Sequence, residues 1–345
     1  MKETTKQEEI TQQLQKLLHE RGKKTLELAR KTVLEEKIES KEVQEALTYF
    51  MTEFWHDVTR PALLSLVCEA VGGDPEITTP IAISMSFISG GIDIHDDIID
   101  QSENKGDRDT VLGKFGKDIA LLVGDALLFK GFTVLYTAVE KGVLAEQIAV
   151  ISDIIKRTFF ELGDAVALEL QFRGRVDVTP EDYLCVVRKK AADVEACTRI
   201  SAILGGGSKE EIEALGQYGR LLGMLLILRN DMVDMFDPEE TIHRIKKEHL
   251  SLVFLYALQN PEMKSSVSDL INKTVTEKDA EKLSAIVDKA GGFVLMNNYM
   301  KELAEDAYNE IELIKFNKKL LSLLINGMLL PDWRNYLLPP SPSNR

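Results

Sequence analysis

Apolar and polar positions recur along almost the whole chain at spacings of three and four residues, which places apolar side chains on one face of an α-helix. Residues 5–58 are rich in Glu, Lys, Gln and Leu in this arrangement, which predicts two or three N-terminal helices. Further helices are predicted at about residues 80–102, 110–139, 144–172, 180–204, 208–235, 247–259, 263–273, 277–290, 293–315 and 317–329. No segment combines period-two alternation with flanking turn residues, so the fold class is predicted to be all-α without strands.

Two turn-forming stretches, Gly72–Pro75 and Asp237-Pro238, interrupt the helical pattern. The chain shows no internal repeat and no linker, and its 345 residues are enough to bury a large core. Residues 1–345 are therefore predicted to form a single domain, with N-terminal helices over 1–50 and a frayed tail over 339–345.

One stretch carries an unusual concentration of acidic residues. Residues 92–106 read IDIHDDIIDQSENKG and follow a long apolar run. On a helix, Asp96 and Asp100 project from the same face with Asp97 beside them. Buried carboxylates without partners would take up protons, and a divalent cation removes that conflict. Oxygen ligands suit magnesium, so we predict a magnesium site here, with a solvated acidic helix end as the alternative.

A second apolar run ends in a similar group of oxygen-bearing side chains. Asn230 and Asp234 are four residues apart, and Asp231 is adjacent to Asn230. If the two helices face each other, their ends would hold metal ions at the mouth of an apolar cavity. An acidic mouth above an apolar interior predicts a substrate with a polyanionic head and a hydrocarbon tail. Alone, this second group would also fit the polar end of an ordinary helix.

Charge and cysteine content exclude some alternatives. The net charge is −14 and no basic region stands apart, which argues against nucleic acid as a partner. The three cysteines match no zinc-binding spacing, so reduced thiols in the cytoplasm are predicted. The N-terminus has no apolar core of the signal-peptide kind. The longest apolar run, 119–129, contains Asp125, so no transmembrane segment is expected.

Four segments together resemble the isoprenyl diphosphate synthase superfamily, also called the trans-prenyltransferases or polyprenyl synthetases. They occur in matching order over about residues 50–260 and read DDIID, TVLGKFGKDIALLVGDALL, YLCVVRKKAADVEACTRISAILGG and GRLLGMLLILRNDMVD. The resemblance implies the isoprenoid synthase helical bundle around a deep central cavity. It also implies a homodimer that acts on prenyl diphosphates.

The same resemblance assigns roles to particular residues. The implied ligands of the magnesium ions, three ions in all, are Asp96, Asp97, Asp100, Asn230, Asp231 and Asp234. In this set Asn230 replaces the usual first aspartate of the second motif. The implied contacts to the substrate diphosphate are Lys105, Lys190, Arg229 and Lys247. The residues predicted to be catalytic are Asp96, Asp97, Asp100, Lys190 and Asp231.

The length of the substrate is predicted from two glycines of the first motif's helix, Gly90 and Gly91. Gly91 lies five residues before Asp96, where the family places bulky side chains that limit the prenyl chain. Glycine there predicts a deep pocket and a substrate of C15 to C20 or longer, with Phe87 as a candidate wall. Close packing between helices is the alternative explanation for the glycine.

The site for a second diphosphate departs from the family pattern. Where the family has Gly-Lys-Arg-x-Arg-Pro, residues 56–61 read His-Asp-Val-Thr-Arg-Pro. Arg60 therefore remains, but Asp57 replaces a lysine, and Gly106 replaces an arginine after the first motif. Each lost cation removes a charge-assisted contact of about 1.5–3 kcal/mol.

This pattern favours an enzyme that ionises one prenyl diphosphate and needs no second one. The leading hypothesis is a magnesium-dependent terpene synthase that cyclises or quenches the allylic cation and releases pyrophosphate. One alternative is a chain-elongating prenyl diphosphate synthase that condenses isopentenyl diphosphate with an allylic diphosphate. A related alternative is prenyl transfer to a different acceptor. The last is a non-catalytic regulatory subunit of a prenyl synthase.

Overall fold

The computed structural model describes residues 6–330, and it places most of them in helices. The helices are α1 (Lys6–Leu34), α2 (Lys41–Tyr49), α3 (Thr59–Ala70), α4 (Thr79–Asp100), α5 (Val111–Phe115), α6 (Lys117–Thr137), α7 (Ala145–Leu170), α8 (Pro180–Lys190), α9 (Ala192–Leu204), α10 (Lys209–Asp234), α11 (Pro238–Lys247), α12 (Leu252–Leu258), α13 (Lys264–Lys273), α14 (Glu277–Lys289), α15 (Gly292–Glu310) and α16 (Lys318–Met328). The predicted all-α fold is confirmed.

Helix α4 lies between two hydrophobic clusters. Met85 and Ile88 pack into the larger cluster, which also contains side chains of α3, α9, α10, α12 and α15. Phe87 and Ile94 pack into a smaller cluster with the end of α1, α2 and α6. A helix that is apolar on every side is stable only when it is surrounded in this way. This explains why the long apolar run precedes the first acidic motif.

Glycines allow α4 and α6 to approach each other closely. A Cβ atom on Gly91 would lie 2.7 Å from the carbonyl oxygen of Gly124 and 2.8 Å from Cγ of Leu128. Ser84 donates a 2.7 Å hydrogen bond to the carbonyl oxygen of Gly131 at the same contact. Gly91 therefore serves helix packing and lines neither of the two cavities described below. The structure therefore favours close packing, the alternative explanation for Gly91, over a pocket for a long chain.

We expect Gly91→Ala to destabilise the fold by about 1–3 kcal/mol, because backbone and side-chain atoms must move to admit the methyl group. The chain-length preference of the variant should be unchanged. Gly163→Ala is the matched control, because a Cβ there meets nothing within 4 Å. That substitution should stabilise α7 by about 0.5–1 kcal/mol. Thermal or urea unfolding measures both effects, and equal stability of the two variants would contradict the packing role.

Four local features differ from the predicted elements. Residues predicted as loop form a short antiparallel hairpin, β1 (Asn104–Lys105) and β2 (Arg108–Asp109). Gly116, with a positive φ of 78°, divides the predicted helix 110–139 into α5 and α6. Pro238 stands in the first turn of a helix, α11, that the sequence did not predict. The predicted helix 180–204 is divided at residue 191 into α8 and α9. The predicted frayed tail, 339–345, lies outside the described residues.

Two helical stretches are long and apolar enough to cross a membrane, Pro75–Asp100 and Lys117–Lys141. The sequence-based expectation of no transmembrane segment did not identify these two stretches. The most apolar window of the first stretch is 72% buried inside the protein and that of the second is 33% buried. Core helices of soluble proteins meet the same criterion, so the two stretches are weak evidence for a membrane span.

Candidate active site

The ends of α4 and α10 face the same cavity of about 760 Å³, which we call the acidic cavity. Both predicted motifs line it, with Asp96, Asp97, Asp100, Asn230, Asp231 and Asp234. The structure therefore brings together two groups that are more than 100 residues apart in sequence. Basic and aromatic side chains from the β1–β2 hairpin, α8 and α11 complete the wall, among them Lys105, Tyr183, Lys190 and Arg244.

Two of the three carboxylates of the first motif have cationic partners. Lys105 Nζ lies 2.6 Å from Asp97 Oδ1, and Arg173 Nη2 lies 2.7 Å from Asp100 Oδ1. Within residues 6–330, Asp96 has neither an ion pair nor a side-chain hydrogen bond. Burial raises the pKa of Asp97 to about 6, against the opposing effect of Lys105. Burial also raises the pKa values of Asp96 and Asp100. The negative charge of this motif is therefore energetically unfavourable unless a further cation binds.

Glu169 lies between Lys190 and His249 in the wall of the acidic cavity. Lys190 Nζ lies 2.6 Å from Glu169 Oε2, and His249 Nε2 lies 2.6 Å from Glu169 Oε1. Burial acts to raise the pKa of Glu169, but His249 and Lys190 outweigh it and hold the pKa at about 2. Burial acts to lower the pKa of Lys190, but Glu169 and Asp96 together raise it. Lys190 therefore carries a fixed positive charge beside the first motif.

The second motif is held by side chains from two other helices. Tyr183 of α8 donates a short hydrogen bond to Asp231 Oδ2. Arg244 Nη1 lies 2.9 Å from Asp231 Oδ1, and Arg244 Nη2 lies 2.5 Å from Asp234 Oδ2. Burial raises the pKa of Asp234, with Arg244 opposing it. Asn230 is exposed and lines the cavity.

The first motif fits a magnesium ion that completes its coordination with other oxygens. Within the described part of the chain Asp96 has no ion-pair partner, and it lines the cavity beside Asp97 and Asp100. Within the described residues, no three acidic, histidine or cysteine side chains converge on one point as a ready-made metal site. Magnesium in proteins is commonly held by one or two carboxylates together with water and substrate phosphates. The donor set therefore suits magnesium that arrives with a phosphate-bearing ligand.

Besides Gly91, three of the predicted substrate-binding residues lie away from the cavity. Phe87 is fully buried in the smaller hydrophobic cluster. Lys247 ends α11 in an exposed position and makes one long contact, 3.4 Å, to Gln101. Arg229 is half-buried, and its Nε has no hydrogen-bond partner within the described residues. Neither of these cations lines the acidic cavity, whereas Lys105 does, as expected.

Four residues of the site were not predicted from sequence. Tyr183 precedes Lys190 by seven residues on one helix, so helical periodicity could have placed both on one face. Arg244 was missed because Asp237-Pro238 was interpreted as the end of a helix rather than as the start of α11. Glu169 and His249 gave no local signal, because each is recognisable only through its spatial partner.

A second cavity of about 490 Å³ adjoins the first and shares Asp96, Lys190, Ile227 and Asn230 with it. We call it the apolar cavity. Leu63, Leu222 and Leu226 are among its walls, and Asp57, Arg60 and Asp193 lie together at one side. Arg60 Nη1 lies 2.7 Å from Asp57 Oδ2, and Arg60 Nε lies 2.8 Å from Asp193 Oδ2. Arg60, which this chain retains from the family's second diphosphate site, therefore already has two carboxylate partners.

The sequence matches the polyprenyl synthetase family over residues 40–289. The chain belongs to the polyprenyl synthetase family. Among its curated relatives is a short chain isoprenyl diphosphate synthase from Methanothermobacter thermautotrophicus, 32% identical over 66% of this chain and 66% of the relative. A geranylgeranyl diphosphate synthase from Methanosarcina mazei is 34% identical over 55% of this chain and 58% of the relative. The match thus spans 66% and 58% of the length of these two relatives, less than two thirds of each.

Solved structures support the same fold for this polyprenyl synthetase family member. A crystal structure of geranylgeranyl pyrophosphate synthetase from Pyrococcus horikoshii superposes with a TM-score of 0.80. It is 22% identical and the comparison covers 91% of this chain and 98% of that one. A decaprenyl diphosphate synthase from Rhodobacter capsulatus gives a TM-score of 0.78 at 20% identity, covering 92% of this chain and 98% of that one. The isoprenoid synthase bundle expected from the sequence is therefore confirmed.

Proposed function

We propose that this chain is a magnesium-dependent prenyltransferase that elongates an allylic prenyl diphosphate with isopentenyl diphosphate. The observation that carries the proposal is the meeting of both acidic motifs with Lys190 at one cavity in a member of this family. The expected allylic substrate is C15 to C20, in keeping with the names of the relatives. A homodimer in the cytoplasm remains a prediction.

The leading sequence hypothesis, a terpene synthase, is not supported. The relatives described above are named as diphosphate synthases, so chain elongation fits the comparisons better. A non-catalytic role is also disfavoured, because both acidic motifs line the cavity instead of being displaced from it.

In the proposed reaction the chain's own residues bind and polarise the diphosphate. Lys190 and Lys105 stand at the rim of the first motif, where each can donate to phosphate oxygens and stabilise charge on the leaving pyrophosphate. Magnesium, when bound, would supply further charge neutralisation as a Lewis acid. Glu169 fixes the position of Lys190, and His249 fixes Glu169 in turn. The apolar cavity beside Asp96 excludes water from the allylic carbon.

Labelled isopentenyl diphosphate tests this proposal directly. Purified protein is incubated with farnesyl diphosphate, magnesium and the labelled compound, and the prenyl products are separated by chromatography. Label should appear in a geranylgeranyl-length or longer product. Pyrophosphate release without incorporated label would refute elongation while leaving prenyl transfer intact.

A second candidate function is favoured by one observation, the charge at the side of the apolar cavity. Arg60 is paired with two aspartates, and a third, Asp93, also lines the cavity. One cation among three carboxylates leaves a net negative charge, which repels a second diphosphate. Ser89 is buried at the same cavity, and within the described residues its hydroxyl has no hydrogen-bond partner. Prenyl transfer to a neutral or cationic acceptor would suit this environment.

Charge substitutions at this cavity separate the two candidates. Asp57→Lys restores the family's lysine and frees Arg60 from one carboxylate. If the protein elongates prenyl chains, the KM of this variant for isopentenyl diphosphate should be roughly 10- to 100-fold lower than that of the parent. This change corresponds to the free energy of one charge-assisted contact with phosphate. Asp193→Asn is the matched control that frees Arg60 without adding a cation, and its effect should be smaller. No response in either variant would favour the second candidate.

Metal binding should weaken at acidic pH. The pKa of Asp97 is raised to about 6, so this carboxyl is charged above pH 6 and takes up a proton below it. A carboxylate must be deprotonated to bind magnesium, so affinity should fall about tenfold per pH unit below pH 6. Calorimetric titration of magnesium with pyrophosphate present, at pH 5, 6, 7 and 8, measures this. Affinity that is constant from pH 5 to 8 would contradict the assignment of Asp97 as a ligand.

A further inference from the structure

The second acidic motif already contains a cation that belongs to the chain. The guanidinium of Arg244 lies between Asp231 and Asp234 and makes three contacts with them. Nη1 is 2.9 Å from Asp231 Oδ1, and Nε and Nη2 are 3.0 and 2.5 Å from Asp234 Oδ2. The side chain of Arg244 is only 12% exposed. The planar guanidinium matches the geometry of carboxylates better than a lysine ammonium would, so the arrangement is specific. Because the side chain is mostly buried, solvent screens these contacts only weakly.

Few oxygen positions at this motif remain for a metal ion. Asp231 accepts from Arg244 at Oδ1 and from Tyr183 at Oδ2. Asn230, which stands where the family pattern has an aspartate, carries no charge. Within the described residues, Oδ1 of Asp234 is the one aspartate oxygen of this motif without a contact. A divalent ion placed there would have the guanidinium as a neighbour of like charge.

The local fold fixes Arg244 in this position. Asp237 accepts hydrogen bonds from the backbone N–H of Glu239, and Pro238 occupies the first turn of α11. The chain therefore turns back over the motif within a few residues of Asp234. Arg244 then lies on the side of α11 that faces the acidic cavity. This placement follows from the short connection between α10, which ends at Asp234, and α11, which begins at Pro238.

We propose that Arg244 takes the place of one magnesium ion at the second motif. The diphosphate is then bound by divalent ions at the first motif and by the guanidinium of Arg244 at the second. The inference rests on the proposed function. A guanidinium has five N–H donors, and three of its contacts are with the aspartates, so donors remain for phosphate oxygens. The resemblance implies three magnesium ions, so replacing one of them by Arg244 leaves two.

Counting metal ions tests the inference without measuring activity. Manganese stands in for magnesium, pyrophosphate is the probe, and the free metal is measured by electron paramagnetic resonance. The relevant number is the ions per chain that bind only when pyrophosphate is present. We expect two for the unmodified protein and three for Arg244→Gln, because the vacated aspartates then accept a metal. Lys246→Gln, an exposed lysine on the same helix, is the matched control and should keep two.

A count of three in the unmodified protein, or of two in a folded Arg244→Gln variant, would overturn the inference. If that variant does not fold, crystals of the unmodified protein with manganese and pyrophosphate decide through anomalous scattering. Peaks should lie at the first motif and none within ligand distance of Asp231 or Asp234. A peak there, with Arg244 displaced, would overturn the inference. Absence of any pyrophosphate-dependent manganese would instead contradict the proposed function.

Discussion

Asp96→Ala should lower prenyl transfer by about 10³-fold or more, the largest effect we expect from a single substitution. Asp96 is the carboxylate of the first motif without a partner in the described chain, and it lies where both cavities meet. Its pKa is raised by burial, which means that its charge costs free energy in the metal-free protein. Steady-state assays of pyrophosphate release, with magnesium varied, measure the loss.

The fold of this variant should survive. Removing one carboxylate from a like-charged, buried cluster relieves repulsion, so the metal-free variant should be at least as stable as the parent. Asp107→Asn is the matched control, because this exposed hairpin residue changes the net charge equally without lining the acidic cavity. Full activity in Asp96→Ala would contradict the metal assignment, whereas a loss accompanied by unfolding would leave Asp97→Ala as the decisive variant.

Lys190→Met should lower kcat by about 10²- to 10³-fold, the range for removal of one preorganised charge beside the leaving group. Lys190 is the cation shared by both cavities, and its ammonium is held by Glu169. Since Glu169 keeps its contact with His249, the substitution does not leave Glu169 without a partner. Single-turnover kinetics separate the chemical step from substrate binding.

The neighbouring lysine is the control for this substitution. Lys189 pairs with Asp164 at 2.8 Å and lines neither cavity. Lys189→Met removes the same charge one residue away, and it should change kcat by less than about twofold. Similar losses in the two variants would indicate a long-range charge effect rather than a contact between Lys190 and the diphosphate.

The sequence predicted the fold class and the two acidic motifs because both follow from local patterns, whereas the meeting of the motifs was expected only if their helices face each other. The long apolar run of α4 required burial on every side, and the aspartates at its end required cations. Helix periodicity then placed Asp96 and Asp100 on one face. These properties depend on neighbours within about one helical turn, so one sequence is enough to identify them.

The rest of the site depends on contacts between distant segments. Asp193 neutralises Arg60 from 133 positions further along the chain, and nothing near either residue signals that pair. Gly91 was assigned to a pocket because its partner, Gly124, lies on another helix. Arg244 was missed for a different reason, since an aspartate and a proline can both end one helix and begin the next. Only the packed structure distinguishes these possibilities.

Magnesium-dependent release of pyrophosphate from an allylic diphosphate tests the central claim most directly. Purified protein is mixed with geranyl, farnesyl or geranylgeranyl diphosphate, with isopentenyl diphosphate or a neutral acceptor, and with magnesium or a chelator. We predict release from at least one allylic substrate that stops when magnesium is chelated and when Asp96 is replaced by alanine. No release from any of these substrates, or release that persists with the chelator, would contradict the account.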